Sequence, residues 1–141
     1  MSKGNTFEND CLKLIFNGTA IADIAENDTS SPATAFPVAL HTADPGEGGD
    51  QTTNETAYTG YVRVSVNRNS GGWTVTGNVV NPTNNIDFGE CTASPGANLT
   101  HWSIGTGVGN KIMYIGTLSP NIVMAVGVIP RVKNTSTITE D

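Results

Sequence analysis

The residues able to do chemistry in this chain are few, and most fall in one polar stretch. His41 opens the run HTADPGEGGDQ, in which Asp44, Glu47 and Asp50 follow at three-residue spacing. Oxygen-rich loops with glycines suit calcium. This spacing fits no established calcium loop, however, and an ordinary solvated turn has the same composition, so neither a metal nor another cofactor is expected. The segment IGTGVGNK offers Gly105, Gly107, Gly109 and Lys111. A phosphate loop needs a strand before it, a helix after it and a different glycine spacing. Here the strand-like KIMYIGTL follows, and the segment reads as a glycine hairpin turn. His101 sits in another strand pattern, where a histidine more often packs or hydrogen-bonds than catalyses. There is no Gly-x-Ser-x-Gly and no reactive Cys–His signature. Asp87 and Glu90 are the nearest carboxylates that could serve glycan hydrolysis, and nothing else supports them. No catalytic residue is assigned, and an enzyme is not expected.

The elements that position these residues are mostly strands. The chain has 141 residues, enough for one domain. Its 19 Thr and 15 Asn supply polarity without charge, and charged residues are only 14%. Threonine favours strands and asparagine favours turns, so the bias points to a β protein. A formal charge of −6 argues against nucleic-acid binding. No apolar run reaches the roughly 20 residues of a membrane span, and the start, MSKGNTFEND, lacks the apolar core of a signal peptide. Synthesis in a cytoplasm is expected. Residues 91–139 contain no Asp or Glu and only Lys111, Arg131 and Lys133 as cations. A stretch so poor in charge is expected to be buried or pressed against another protein. Cys11 and Cys91 are expected to be free thiols, although a bridge between them is not readable from sequence.

Two divisions are expected, an N-terminal helical arm and linker over residues 1–33 and a β domain over 34–141. In TFENDCLKLIFNG, Phe7, Cys11, Leu14 and Ile15 fall on one helical face; Thr6 can cap the start, and Gly18 ends the helix. TAIADIAEN could add a helical turn or an irregular strand. From residue 34 the period becomes two. TAFPVALHT is a strand, and YTGYVRVSVNR alternates Tyr61, Arg63 and Ser65 against Val62, Val64 and Val66, which buries one face only. SGG turns the chain into WTVTGNVV as the second strand of a hairpin. IDFGEC, LTHWSIGTG, KIMYIGTL, IVMAVGVI and RVKNTSTIT follow, separated by turn signals. The fold expected is all-β, an antiparallel jelly-roll-like sandwich of about eight strands with a short N-terminal helix.

The run VALHTADPGEGGDQTTNETAYTGYVRVSV, followed by GWTVTGN, HWSIGTG and KIMYIGTLS, resembles a family of small virion proteins of tailed bacteriophages. The resemblance covers about residues 34–139. Members are commonly labelled tail fibre proteins, and similar jelly-roll proteins act as cement, or decoration, on the capsid exterior. The resemblance therefore implies a phage structural protein without catalytic residues, and leaves head and tail placement open. Receptor-gripping fibres are usually long repetitive trimers, whereas this chain is short and repeat-free, which favours a cement protein on the outer face of the head. The partners implied are the major capsid protein and further copies of the chain, a homotrimer ahead of a dimer, with no nucleic acid and no membrane. The 43–57 loop and the N-terminal helix are candidate arms, because a polar excursion cannot be stabilised by apolar burial of its own. Phe7, Leu14, Ile15, Asp44, Glu47 and Asp50 are the candidate contacts to a capsid partner. Deleting residues 1–17 is then expected to leave the sandwich folded and to weaken attachment.

Overall fold

The structure is a computed structural model that describes residues 5–20, 33–107 and 109–140. A helix α1 (Asn5–Leu12) runs into a π-helical turn (Lys13–Asn17). Nine strands follow: β1 (Ala35–His41), β2 (Val64–Asn67), β3 (Trp73–Thr76), β4 (Val79–Pro82), β5 (Ile86–Asp87), β6 (Leu99–Gly105), β7 (Ile112–Ile122), β8 (Arg131–Val132) and β9 (Ile138–Thr139). The sheets have the orders β2-β1-β6-β7, β3-β4-β9 and β5-β8. Every described register is antiparallel. The all-β expectation with a short N-terminal helix therefore holds, with nine strands among the described residues in place of about eight.

The compact units do not follow a boundary near residue 33. One unit comprises Met1–Ala35, Val66–Ile86 and Val132–Asp141; the other comprises Phe36–Ser65 and Asp87–Arg131. The expected TAIADIAEN element falls largely on residues 21–32, outside the described residues.

In the first unit the N-terminal segment is core. Leu12 and Phe16 are fully buried, and the Phe16 ring meets the buried Trp73 ring edge-on at 4.8 Å between centroids. Leu14 and Ile15, expected on the apolar face, are only half-buried. The buried positions are Leu12, at the end of α1, and Phe16, within the π-turn. Gly18, at φ 65°, donates its N–H to the Lys13 carbonyl five residues back. This wider turn carries an extra residue, which a 3.6-residue period does not anticipate beyond Lys13. Phe7 lies within α1; its side chain is outside the described residues. Arg68 clamps the other side of the turn, donating to the carbonyls of Leu14 at 2.5 Å and Ile15 at 2.6 Å. Asn9 reaches from α1 to the Gly77 carbonyl at 2.5 Å. The N-terminal residues are thus not a free arm, since they close the β3–β4 side of their own unit.

The SGG turn does not form the expected hairpin. Trp73–Thr76 pairs instead with Val79–Pro82 across the two-residue loop Gly77–Asn78, where Gly77 takes φ 62°. A first-position glycine suits a two-residue hairpin loop, whose twist matches that of the strands. WTVTGNVV, read as one strand, is therefore a hairpin in itself. IMYIGTLSPNI, read as a strand and a turn, is the single long strand β7.

In the second unit the registers Val38↔Ile104, Ala39↔Ser103, Leu40↔Trp102 and His41↔His101 fix the faces of β1 and β6. Alternation puts Val38, Leu40, Trp102 and Ile104 on one face, with Ala39, His41, His101, Ser103 and Gly105 on the other. Four successive residues of β1, Val38 to His41, are buried, as are Trp102 to Gly105 of β6. Burial on both faces means that something covers the second one.

Candidate functional site

The cover is the polar loop that follows β1. Thr42 donates its N–H to the Asn54 carbonyl at 2.9 Å, and Thr56 donates to the Leu40 carbonyl at 3.0 Å, so the loop leaves and rejoins beside the end of β1. Between those points Gln51 is fully buried. Its N–H donates to the Asn110 carbonyl at 2.9 Å, and its side-chain amide donates to the Pro37 carbonyl at 3.0 Å and to Ser103 Oγ at 3.3 Å. Gly105 makes room for it: a Cβ there would stand 2.2 Å from Gln51 Oε1. The loop is therefore folded onto its own sheet and is not a projecting arm. Hydrogen bonds from one buried amide hold what apolar burial does not, which is why the lack of apolar residues misled the sequence reading.

His41 sits beneath this cover, fully buried. Its Nδ1 lies 2.9 Å from the Thr53 carbonyl, and its Nε2 lies 2.8 Å from Ser103 Oγ. A carbonyl only accepts, so Nδ1 carries the proton and Nε2 accepts from the Ser103 hydroxyl; the tautomer is assigned from these partners. Ser103 Oγ in turn accepts from Gln51. Each group has a complementary partner, and the ring is neutral. Burial lowers the His41 pKa from its ordinary value, Arg63 and His101 add to that, and the Thr53 carbonyl and Glu55 oppose it.

An ion pair continues the network toward solvent. Arg63 Nε and Nη2 each approach a Glu55 carboxylate oxygen at 2.7 Å, a two-pronged contact. Arg63 Nη1 donates to Asn110 Oδ1 at 2.8 Å and to Gln51 Oε1 at 3.3 Å. Tyr61 donates its hydroxyl to Glu55 at 2.8 Å and accepts the Leu40 N–H at 3.2 Å; burial pushes its pKa well above the usual phenol range. The Tyr61/Arg63 side of YTGYVRVSVNR thus faces the network, while Val62 is 70% exposed.

A serine hydroxyl on a histidine ring, with the far nitrogen on a carbonyl, has the connectivity of a nucleophile–base pair. Its setting argues against that use. Ser103 is 1% exposed and His41 0%, and the Gln51 amide fills the space from which an electrophile would approach Ser103. The arrangement supplies the missing hydrogen bonds of a covered sheet face.

The residues singled out from sequence do not converge. Asp44 and Glu47 are exposed and Asp50 is half-buried. Asp44 Oδ1 accepts the Gly46 N–H at 2.8 Å, and Asp50 Oδ1 accepts from the Thr52 N–H and hydroxyl at 2.8 and 2.6 Å. The Thr52 contacts lower the Asp50 pKa. These are turn-forming bonds, and among the described residues no three His, Cys, Asp or Glu side chains are placed to hold a metal ion. Replacing Asp44, Glu47 and Asp50 together by Asn should therefore make the melting temperature no more and no less responsive to millimolar calcium. A calcium-dependent rise confined to the parent chain would restore a metal site. Asp87 is engaged by Arg131 through both carboxylate oxygens, which holds its pKa down, and Glu90 is exposed. Cys11 and Cys91 are free.

Gln51, Ser103, Arg63, Glu55 and Asn110 were not singled out from the sequence. The signal available was the pairing of Ser103 with Gly105, small residues two apart on one strand face, opposite the unbroken run VALH. Small residues on that face leave room for a covering segment, and the run marks a strand buried on both sides.

Among the described residues no helix is long and apolar enough to cross a membrane. No curated protein sequence matches the chain. A family profile described as "Podophage GP4 fiber I protein gp80" matches residues 2–138. The chain belongs to that family, and it is a bacteriophage virion protein with a structural role.

Proposed function

We propose that this member of the podophage fiber family is a non-catalytic building block of the tail fibre apparatus, held in the particle by protein–protein contacts. The observation that carries the reading is the match to a fibre family over residues 2–138, a range that includes strands of both compact units. The geometry supports a scaffold role. The groups with the look of chemistry, His41, Ser103, Glu55 and Arg63, are engaged by internal partners. The non-polar contact area is on the outside, where Val62, Val123, Val126 and Ile129 are 70, 69, 64 and 53% exposed. Three of these lie in the acid-free stretch 91–139, where a chain of net charge −6 can meet another protein without repulsion. Further copies of the chain, a trimer ahead of a dimer, and a neighbouring virion protein are the partners proposed; nucleic acid and membrane are not.

Capsid cement remains the second reading, favoured by a short, repeat-free chain. Copy number separates the two. Quantitative mass spectrometry of purified virions should give this chain at a few per cent of the major capsid protein or less; a ratio of the same order as the capsid protein would place it on the shell. A second test addresses the contact surface. Val123→Asp with Val126→Asp should change stability by no more than about 0.5 kcal/mol, as for surface substitutions generally. It should also sharply reduce incorporation of the protein into particles, and full incorporation would remove this surface from consideration.

A further inference from the structure

We propose that His41 is an acid-sensitive latch, which holds the 42–56 loop against β1 and β6 when neutral and releases it when protonated. The latch is built at both ring nitrogens. Nδ1–H holds the loop directly through the Thr53 carbonyl. Nε2 accepts the Ser103 hydroxyl, which frees the Ser103 lone pairs for the Gln51 amide, a fully buried side chain of the loop. A proton on Nε2 turns an acceptor into a donor. Ser103 Oγ would then face two donors, and its own hydrogen would lose its acceptor inside a covered sheet face. Leaving a buried polar group without a partner is strongly unfavourable. Opening the loop relieves that conflict and lets water reach the ring.

The charged and titratable groups around His41 set the balance. His101 stands directly opposite it on β6 and acts against a charge on His41. Arg63 adds positive charge from the strand side of the network. Glu55, bridged to the His41 backbone from the end of the loop, is the one favourable charge. Its carboxylate is already committed to Arg63 through both oxygens and to the Tyr61 hydroxyl. Asp50, the remaining acid nearby, acts on Arg63.

The direction of the pH effect follows. The closed loop lowers the His41 pKa below its ordinary 6.5, so below that pH the open form binds a proton that the closed form does not. The closed form is fully favoured above 6.5. It loses ground to the open form as pH falls, by at most about tenfold in population per pH unit, until its own lower midpoint is passed.

Hydrogen exchange of the full chain, expressed as protection factors to remove the intrinsic pH dependence, tests this. The amides to follow are Thr42, Gln51 and Thr56, whose N–H groups hold the loop. Between pH 7.5 and 4.5 their protection should fall by up to about tenfold per unit below 6.5, while the amides of β6 change less. His41→Gln should remove that slope, and His101→Gln should retain it. Flat protection in the parent, a parallel loss throughout β6, or an unchanged slope in His41→Gln would each overturn the latch. If His41→Gln does not fold, the ring titration of His41 by NMR in the parent decides. Coincidence of its midpoint with that of loop protection supports the latch, and separate midpoints overturn it.

Discussion

Replacing Phe16 by alanine should cost about 3–5 kcal/mol, the range for buried phenylalanines. Against a total of about 5–15 kcal/mol for a typical domain, that is a large fraction. The reason is placement. Phe16 is fully buried, lies edge-on to Trp73, and is four residues from Leu12, the other fully buried residue of the same segment. Its removal leaves a cavity against the indole, and the π-turn cannot collapse into it while Arg68 holds the Leu14 and Ile15 carbonyls. Leu14→Ala and Ile15→Ala, at half-buried positions, should each cost clearly less, about 1 kcal/mol. Tryptophan emission provides a local reading: in a Trp102→Phe background, Trp73 reports on the first unit alone. Urea unfolding of the four chains, followed at Trp73, should rank Phe16→Ala far below the rest. Equal, small effects at positions 14, 15 and 16 would mean that the N-terminus is an arm after all. Likewise, deletion of residues 1–17 should expose Trp73 and destabilise its unit, not trim a dispensable extension.

This reversal shows what the sequence could and could not convey. The helix and its stop were legible, because Gly18 is the residue that most readily takes φ near 65°. The buried face was not. A 3.6-residue period over FENDCLKLIF selects positions 11, 14 and 15, whereas the fully buried pair is 12 and 16. Strand-favouring runs bounded by turn residues located β1, β6 and the start of β7, although β1 and β6 are buried on both faces. They failed where pairing partners were at stake. Nothing in the order of strands says that β2 sits beside β1, or that Trp73–Thr76 turns back on itself at Gly77–Asn78. The polar loop was visible as a loop, and its acids drew attention because charge suggests chemistry. Gln51 and Ser103 carried no such mark. Their importance comes from the register that sets Ser103 diagonally across from His41, a relation between residues 62 apart.

The same register yields the second large effect, at a residue without a side chain. Gly105→Ala should destabilise the chain by roughly 2–4 kcal/mol, the combined scale of overpacking and of stranded buried hydrogen-bonding groups. A Cβ at position 105 would stand 2.2 Å from Gln51 Oε1 and 2.5 Å from Cδ, so the amide must leave. A flexible side chain would normally step aside at little cost. This one is tied to Pro37, Ser103 and Arg63, and its departure strands the Pro37 carbonyl and a lone pair of Ser103 beneath the loop. Gly48→Ala in the same loop is the control, because a Cβ there meets nothing within 4 Å, and it should be nearly neutral. A double-mutant cycle distinguishes eviction of Gln51 from general crowding. If Gly105→Ala acts by expelling the amide, then in a Gln51→Ala background the same substitution costs little, and the pair falls well short of additivity. Additive effects would show that the two residues do not share a space, and would undo the account of how a loop with so little apolar surface is held on its sheet.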